Sequence, residues 1–200
     1  MAGRSSHREE FRFGLGHPVL EFVATLAGRR REQHERLHEP DDLARWLERA
    51  GLAQRTTCDE DTLAEARALR EAIYRLLETA RSRRRSESGD VELLNRWARR
   101  PAAAPQLDTD LGLSWTSTDP ARAALAALAA NAVELLSGPD LARVRHCASP
   151  SCSLLFIDHS RPGRRRWCSM DRCGNRDKTA RYRRRRKAAS ADGPARRGLS

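Results

Sequence analysis

Two hundred residues carrying 38 basic and 27 acidic side chains give a formal net charge of +11, enough chain for one mid-sized domain plus a small module. Residues 1–139 hold 21 basic and 22 acidic side chains while residues 140–200 hold 17 and 5, so the excess lies at one end, as expected of a nucleic-acid-binding module joined to a neutral body. Residues 1–10 lack the apolar core of a signal peptide and no run of 18 apolar residues occurs, which excludes a membrane span and leaves a cytoplasmic, nucleoid-associated location as the expectation.

In chain order, residues 11–15 read as a short strand, and residues 18–26 as a helix with Pro18 in its first turn. Residues 28–39 are charged on all sides and read as a loop, with His34 and His38 as solvated side chains. Residues 40–50 form a helix, because Leu43, Trp46, Leu47 and Ala50 recur at helical spacing between Pro40 and the stop at Gly51. A longer helix over 61–80 repeats the pattern with Leu63, Ala66, Leu69, Ile73, Leu76 and Leu77 facing inward. Cys58 stands alone beside Asp59, Glu60 and Asp61, carboxylates that disfavour a thiolate, so it is inert.

Residues 81–89 are a basic, Ser-rich loop, solvated rather than a second nucleic-acid contact. Asp90 caps a shorter helix holding Val91, Leu94 and Trp97, broken by the prolines at 101 and 105. Residues 107–116 alternate around Leu111, Leu113 and Trp115, which predicts a strand or hairpin. Asp119 is an N-cap with Pro120 at the first helical position, and the Ala-rich helix runs to Ser137. Gly138 and Pro139 end it and mark the boundary between a unit over 1–139 and one over 140–187, with 188–200 as a disordered tail.

The second unit holds four of the five cysteines, Cys147, Cys152, Cys168 and Cys173, as two C-x4-C pairs 15 residues apart. Thiolates grouped this way in a chain without secretory features suit one tetrahedral, structural Zn2+. The usual pair encloses two residues rather than four, so buried structural cysteines or a redox pair remain alternative readings. Four thiolates suffice without His146 or His159. Ser153 to Asp158, the turn over 161–164 and the return through Trp167 predict a hairpin, with Trp167 in a small core. The second pair then opens a helix capped by Gly174 and Asn175, with Asp177 in its first turn and DKTARYRRRRK along its length. A module this short buries little, so without metal it should be unfolded.

These residues resemble the CGNR zinc finger. The match comprises the four cysteines, Cys173-Gly174-Asn175-Arg176, Phe156 and Asp158, Arg166-Trp167-Cys168-Ser169-Met170, and Lys178 with its basic helix, about a fifth of the chain. The resemblance implies a preceding helical ABATE domain, whose first helix commonly reads Asp-Phe-Val-Asn-Thr; here Glu21-Phe22-Val23-Ala24-Thr25 puts Ala24 where that asparagine stands. It also implies stress-related transcription regulation through DNA.

The expected architecture is mainly α, a helical domain with a short strand pair followed by a treble-clef-like finger. The expected DNA contacts are Arg164, Arg165, Arg166, Arg172, Arg176, Lys178, Arg181, Arg183, Arg184, Arg185, Arg186 and Lys187. They should meet phosphates rather than bases, since a run of arginines faces every direction of a helix. Of the 38 basic residues only Lys178 and Lys187 are lysines, a bias that weakens any inference of base reading from arginine alone. The first unit would sense a small ligand or form a homodimer. RNA or ribosome binding, and redox sensing with zinc release, compete with the DNA reading. No phosphate loop, G-x-S-x-G turn or open metal site is present, so no enzyme is expected.

Overall fold

The computed structural model describes residues 11–191, with side chains through Arg186. Six α-helices and three two-stranded antiparallel pairs occur among the described residues. The chain runs α1 (Pro18–Val23), β1 (Leu26–Ala27), β2 (His34–Glu35), α2 (Pro40–Arg49), α3 (Glu60–Arg81) and α4 (Ser88–Ala98). There follow β3 (Ala104–Leu107), β4 (Leu113–Thr116), α5 (Pro120–Ser137), a 3-10 turn (Pro139–Arg143), β5 (Val144–His146), β6 (Leu155–Ile157), a π-helical turn (Met170–Gly174) and α6 (Asn175–Ala191).

Helix α3 is the axis of the core. Asp59 caps it by accepting from the Thr62 amide at 2.7 Å, and all six inward positions expected from its periodicity are buried. Phe22 of α1 and Trp46 of α2 meet with ring centroids 5.2 Å apart. On α5, Ala124, Ala129 and Ala132 are buried with Leu125 and Leu128, so a small-residue face lets the neighbouring helices approach closely. Its start is as expected: Pro120 opens the helix and Asp119 accepts from the Arg122 amide at 3.0 Å.

Several local expectations change. Residues 11–15 form no strand; Phe11 and Leu15 are buried there, with the Leu15 amide donating to the Glu21 carboxylate at 3.2 Å. Helix α1 stops at Val23 because Leu26 enters a two-residue pairing with Glu35. The loop over 28–39 is not solvated throughout. Leu37 is in the core, and buried Arg36 donates to the Ala24 carbonyl at 3.0 Å. Helix α4 begins at Ser88, so Asp90 is not its cap; Asp90 instead pairs with the Arg75 guanidinium across to α3 (2.8 Å from Nε). The β3–β4 hairpin forms in register Leu107 to Leu113, yet Leu107, Leu111, Leu113 and Trp115 all face solvent.

A polar network ties the β1–β2 loop to α3. The guanidinium of Arg70, 2% exposed, donates to both Glu35 carboxylate oxygens at 2.7 Å, to Thr25 Oγ1 at 3.0 Å and to Glu71 at 2.9 Å. Arg29 pairs with Glu71 and lies over the Tyr74 ring at 4.0 Å. Burial pushes the Glu35 and Glu71 carboxyls up, but hydrogen bonds and charge from these arginines outweigh it and hold both below the ordinary range.

Candidate metal centre

The first knuckle leaves β5 at Cys147, whose amide donates to the Leu154 carbonyl at 2.9 Å, and turns through Cys152, whose amide donates to the Ser149 carbonyl at 2.9 Å. The apolar run after it pairs backward, not forward. Val144, Arg145 and His146 are opposite Ile157, Phe156 and Leu155, so the hairpin expected with residues 164–168 is replaced by β5–β6. The physical reason is burial: Leu154, Leu155, Phe156 and Ile157 belong to the same core as α1 and α3, and the Ile157 amide donates to the Leu15 carbonyl at 2.9 Å. Residues 164–168 return instead as an irregular arm, attached through the Ala148 amide to the Arg166 carbonyl at 2.8 Å.

Asp158 organises that turn. It is buried and accepts from the Ser160 hydroxyl at 2.6 Å, the Ser160 amide at 3.0 Å and the Arg165 amide at 2.9 Å. Hydrogen bonds from Ser160 hold its carboxyl below the usual range.

The second knuckle is capped by Ser169, not by Gly174 and Asn175. Its hydroxyl accepts from the Arg172 amide, and its carbonyl accepts from both Cys173 and Gly174 at 3.1 Å, which makes a π-helical turn continuous with α6. The Cys-Gly-Asn-Arg run thereby acquires mechanical roles. Met170 and Trp167 lie so close to Gly174 that a β-carbon there would meet the Met170 thioether at 2.8 Å. Asn175 donates from Nδ2 to the Asp171 carbonyl at 3.3 Å, and Arg176 reaches the Ser151 hydroxyl of the first knuckle at 3.1 Å.

The result brings all four expected cysteines together, with their sulfurs within 4.8 Å of one another. Cys152 Sγ and Cys173 Sγ each lie 3.7 Å from Cys168 Sγ. A tetrahedron with metal–sulfur bonds of ~2.3 Å has an edge of about 3.8 Å, whereas a disulfide would need ~2.05 Å. The four are free thiols held at the spacing of Zn2+ ligands, not of cystines. The Cys168 amide also points at Cys147 Sγ, 3.4 Å away, the kind of N–H contact that stabilises a thiolate. S–H donors from Cys152, Cys168 and Cys173 pull the Cys147 thiol down, which favours the thiolate that a metal ion takes as ligand. Cys58 is elsewhere, its thiol pushed up to about 11 by burial and then by Asp59.

Helix α6 starts two residues after Cys173 and is exposed from Lys178 to Arg186. It extends through residues 188–191, where the sequence predicts a tail; residues 192–200 and the side chain of Lys187 lie outside the described residues. Asp177 pairs with Arg181 at 3.0 Å. The expected contact residues divide by environment. Arg164 and the α6 arginines are exposed, but Arg165 is half-buried over the Phe156 ring and donates to the carbonyls of Trp167 (2.9 Å) and Cys168. Arg166 lies over Trp167 at 4.8 Å. His146 Nε2 approaches Glu78 Oε1 at 2.8 Å and His159 is exposed, so neither joins the cysteines.

Sequence reasoning missed one feature. A cleft of about 1610 Å3 separates the knuckles from residues 11–15 and the β1–β2 loop, lined by Arg30, Arg31 and Arg49 together with Arg172 and Arg176. The available signal was the Gly28-Arg29-Arg30-Arg31 run.

Four clustered thiols beneath a helix, on a mainly helical body, define a zinc-finger protein with one zinc site. The ABATE family model, described as "Putative stress-induced transcription regulator", matches residues 16–139, and the CGNR zinc finger model matches residues 143–186. The chain belongs to the ABATE family, with a CGNR finger following. No curated protein matches it. Among the described residues no helix is long and apolar enough to cross a membrane.

Proposed function

We propose that the protein is a DNA-binding regulator in which zinc fixes the root of α6 so that its cations meet phosphates. The observation that carries this reading is the coupling of Cys173 to α6 through an unbroken helical turn, with every described side chain from Lys178 to Arg186 exposed. On this reading Arg164, Arg176, Lys178, Arg181, Arg183, Arg184, Arg185, Arg186 and Lys187 contact the DNA backbone. Arg166 and Arg172 extend this contact from the arm and the knuckle, while Arg165 braces the arm. Residues 140–187 form the reading unit, and residues 1–139 supply sensing or dimerisation.

Cys147, Cys152, Cys168 and Cys173 would fill all four positions of a tetrahedral Zn2+, which would supply rigidity. The family model's description as a stress-induced transcription regulator supports this reading. The test is fluorescence anisotropy of a duplex oligonucleotide against salt. Affinity should fall steeply, and each of Arg181→Ala, Arg183→Ala and Arg184→Ala should lower the slope by about one. A flat dependence contradicts the proposal, and preference for structured RNA in competition would move it to the other nucleic acid.

A further inference from the structure

The cleft between the β1–β2 loop and the zinc knuckles is strongly cationic. Seven arginines line it against two carboxylates, Glu32 and Asp171, and beside the four cysteines; with the zinc-loaded thiolate centre counted as −2, a formal excess of three positive charges is left in a concave space. Its walls are fixed rather than incidental. Gly28 adopts φ +70°, and a β-carbon there would lie 2.0 Å from the Glu32 carbonyl oxygen, so only glycine can make the turn that presents Arg30 and Arg31. Arg29, next in sequence, is held by its ion pair to Glu71, and its amide donates to Ser153 Oγ of the finger at 3.1 Å. That bond latches the loop to the opposite wall. Elsewhere in the helical body, Arg70, Arg75 and Arg122 are engaged in ion pairs. Arg30 and Arg31, by contrast, are exposed at the cleft.

Cations focused in a concavity attract compact polyanions, because the low-dielectric walls concentrate the field, and arginine forks match phosphate oxygens two at a time. We propose that this cleft binds a small oligophosphate, two or more linked phosphate groups, between Arg30 and Arg31 on one side and Arg172 and Arg176 on the other. Arg176 also stands at the root of α6, so an occupant draws on the cations that face DNA. Binding of the oligophosphate therefore weakens binding of DNA, and by linkage the reverse. This second step rests on the DNA reading; the first does not.

Calorimetric titration of the zinc-loaded full chain at constant ionic strength tests it, with ATP, tripolyphosphate and inorganic phosphate as probes. ATP and tripolyphosphate should bind, and inorganic phosphate at least tenfold more weakly. ATP tighter than tripolyphosphate assigns a nucleoside polyphosphate, and equal affinity assigns the inorganic chain. The Arg30→Ala/Arg31→Ala double variant alters only exposed side chains, so it should melt as the parent does and lose at least tenfold in affinity. A variant with Arg183 to Arg186 changed to Ala should keep ATP binding. No binding of either oligophosphate, unchanged affinity in the double variant, or loss in the helix variant overturns the proposal. ATP should also weaken duplex binding by the parent and not by the double variant; equal weakening in both overturns the coupling. ATP binding that depends on Arg30 and Arg31 in a protein that ignores DNA leaves the cleft standing and removes the DNA reading.

Discussion

Each of the four sulfurs occupies a vertex that no other described side chain can fill, since His146 is turned toward Glu78 and His159 faces solvent. Cys168→Ser should therefore take zinc content from about one equivalent to near none, measured by elemental analysis of purified protein. The spacing of the cysteines made this set legible in advance. Arg70 was not legible: a cation at an inward position of α3 could not be told from a surface residue until Glu35, 35 positions earlier, was seen to fold onto it. Removing it strands the half-buried Glu35 carboxylate while Glu71 keeps Arg29, so Arg70→Ala should cost ~3 kcal/mol in chemical denaturation.

At the level of elements, burial decided what pattern could not. The run 154–157 is apolar on both faces, which a forward hairpin in a solvated finger would leave half exposed; pairing with β5 lets the core cover all four residues. Ser169 prevailed over Gly174 and Asn175 as cap because its carbonyl and hydroxyl are placed to receive the free amides of the π-helical turn. The consequence changes the expectation for metal removal. Chelation should melt the second knuckle and α6 while β5–β6 keeps its amide protection, because the hairpin is held by the helical body; hydrogen exchange with and without a chelator reads this directly. Helix α6 also has like charges at i and i+4, Arg181 with Arg185 among them, alongside the opposite-charge pair Asp177–Arg181. Duplex DNA should neutralise that repulsion and raise helical circular dichroism.

Across the whole molecule, the neutral and cationic halves of the sequence share one continuous core, which runs from α1 and α3 into β5–β6. Helices α2, α3 and α5 were readable because their periodicity, caps and prolines agree. The cleft was not readable, being made by chain segments far apart in sequence, such as Arg30 and Arg31 with Arg172 and Arg176.

Glu35, Glu71 and Asp158 all have depressed carboxyl values in the folded state. Their contribution is thus complete above the ordinary carboxylate range and lost as pH falls through the lowered values. Thermal melting should show stability falling from about pH 5 downward, with a shallower fall in Glu71→Gln. The central claim is that a closed thiolate centre makes a cationic helix competent for DNA. Its most direct test is duplex affinity of the full chain across a salt series, zinc-loaded and zinc-free. A steep salt slope is expected with zinc and a weaker, shallower one without it; identical curves, or no binding at low salt, would refute the claim.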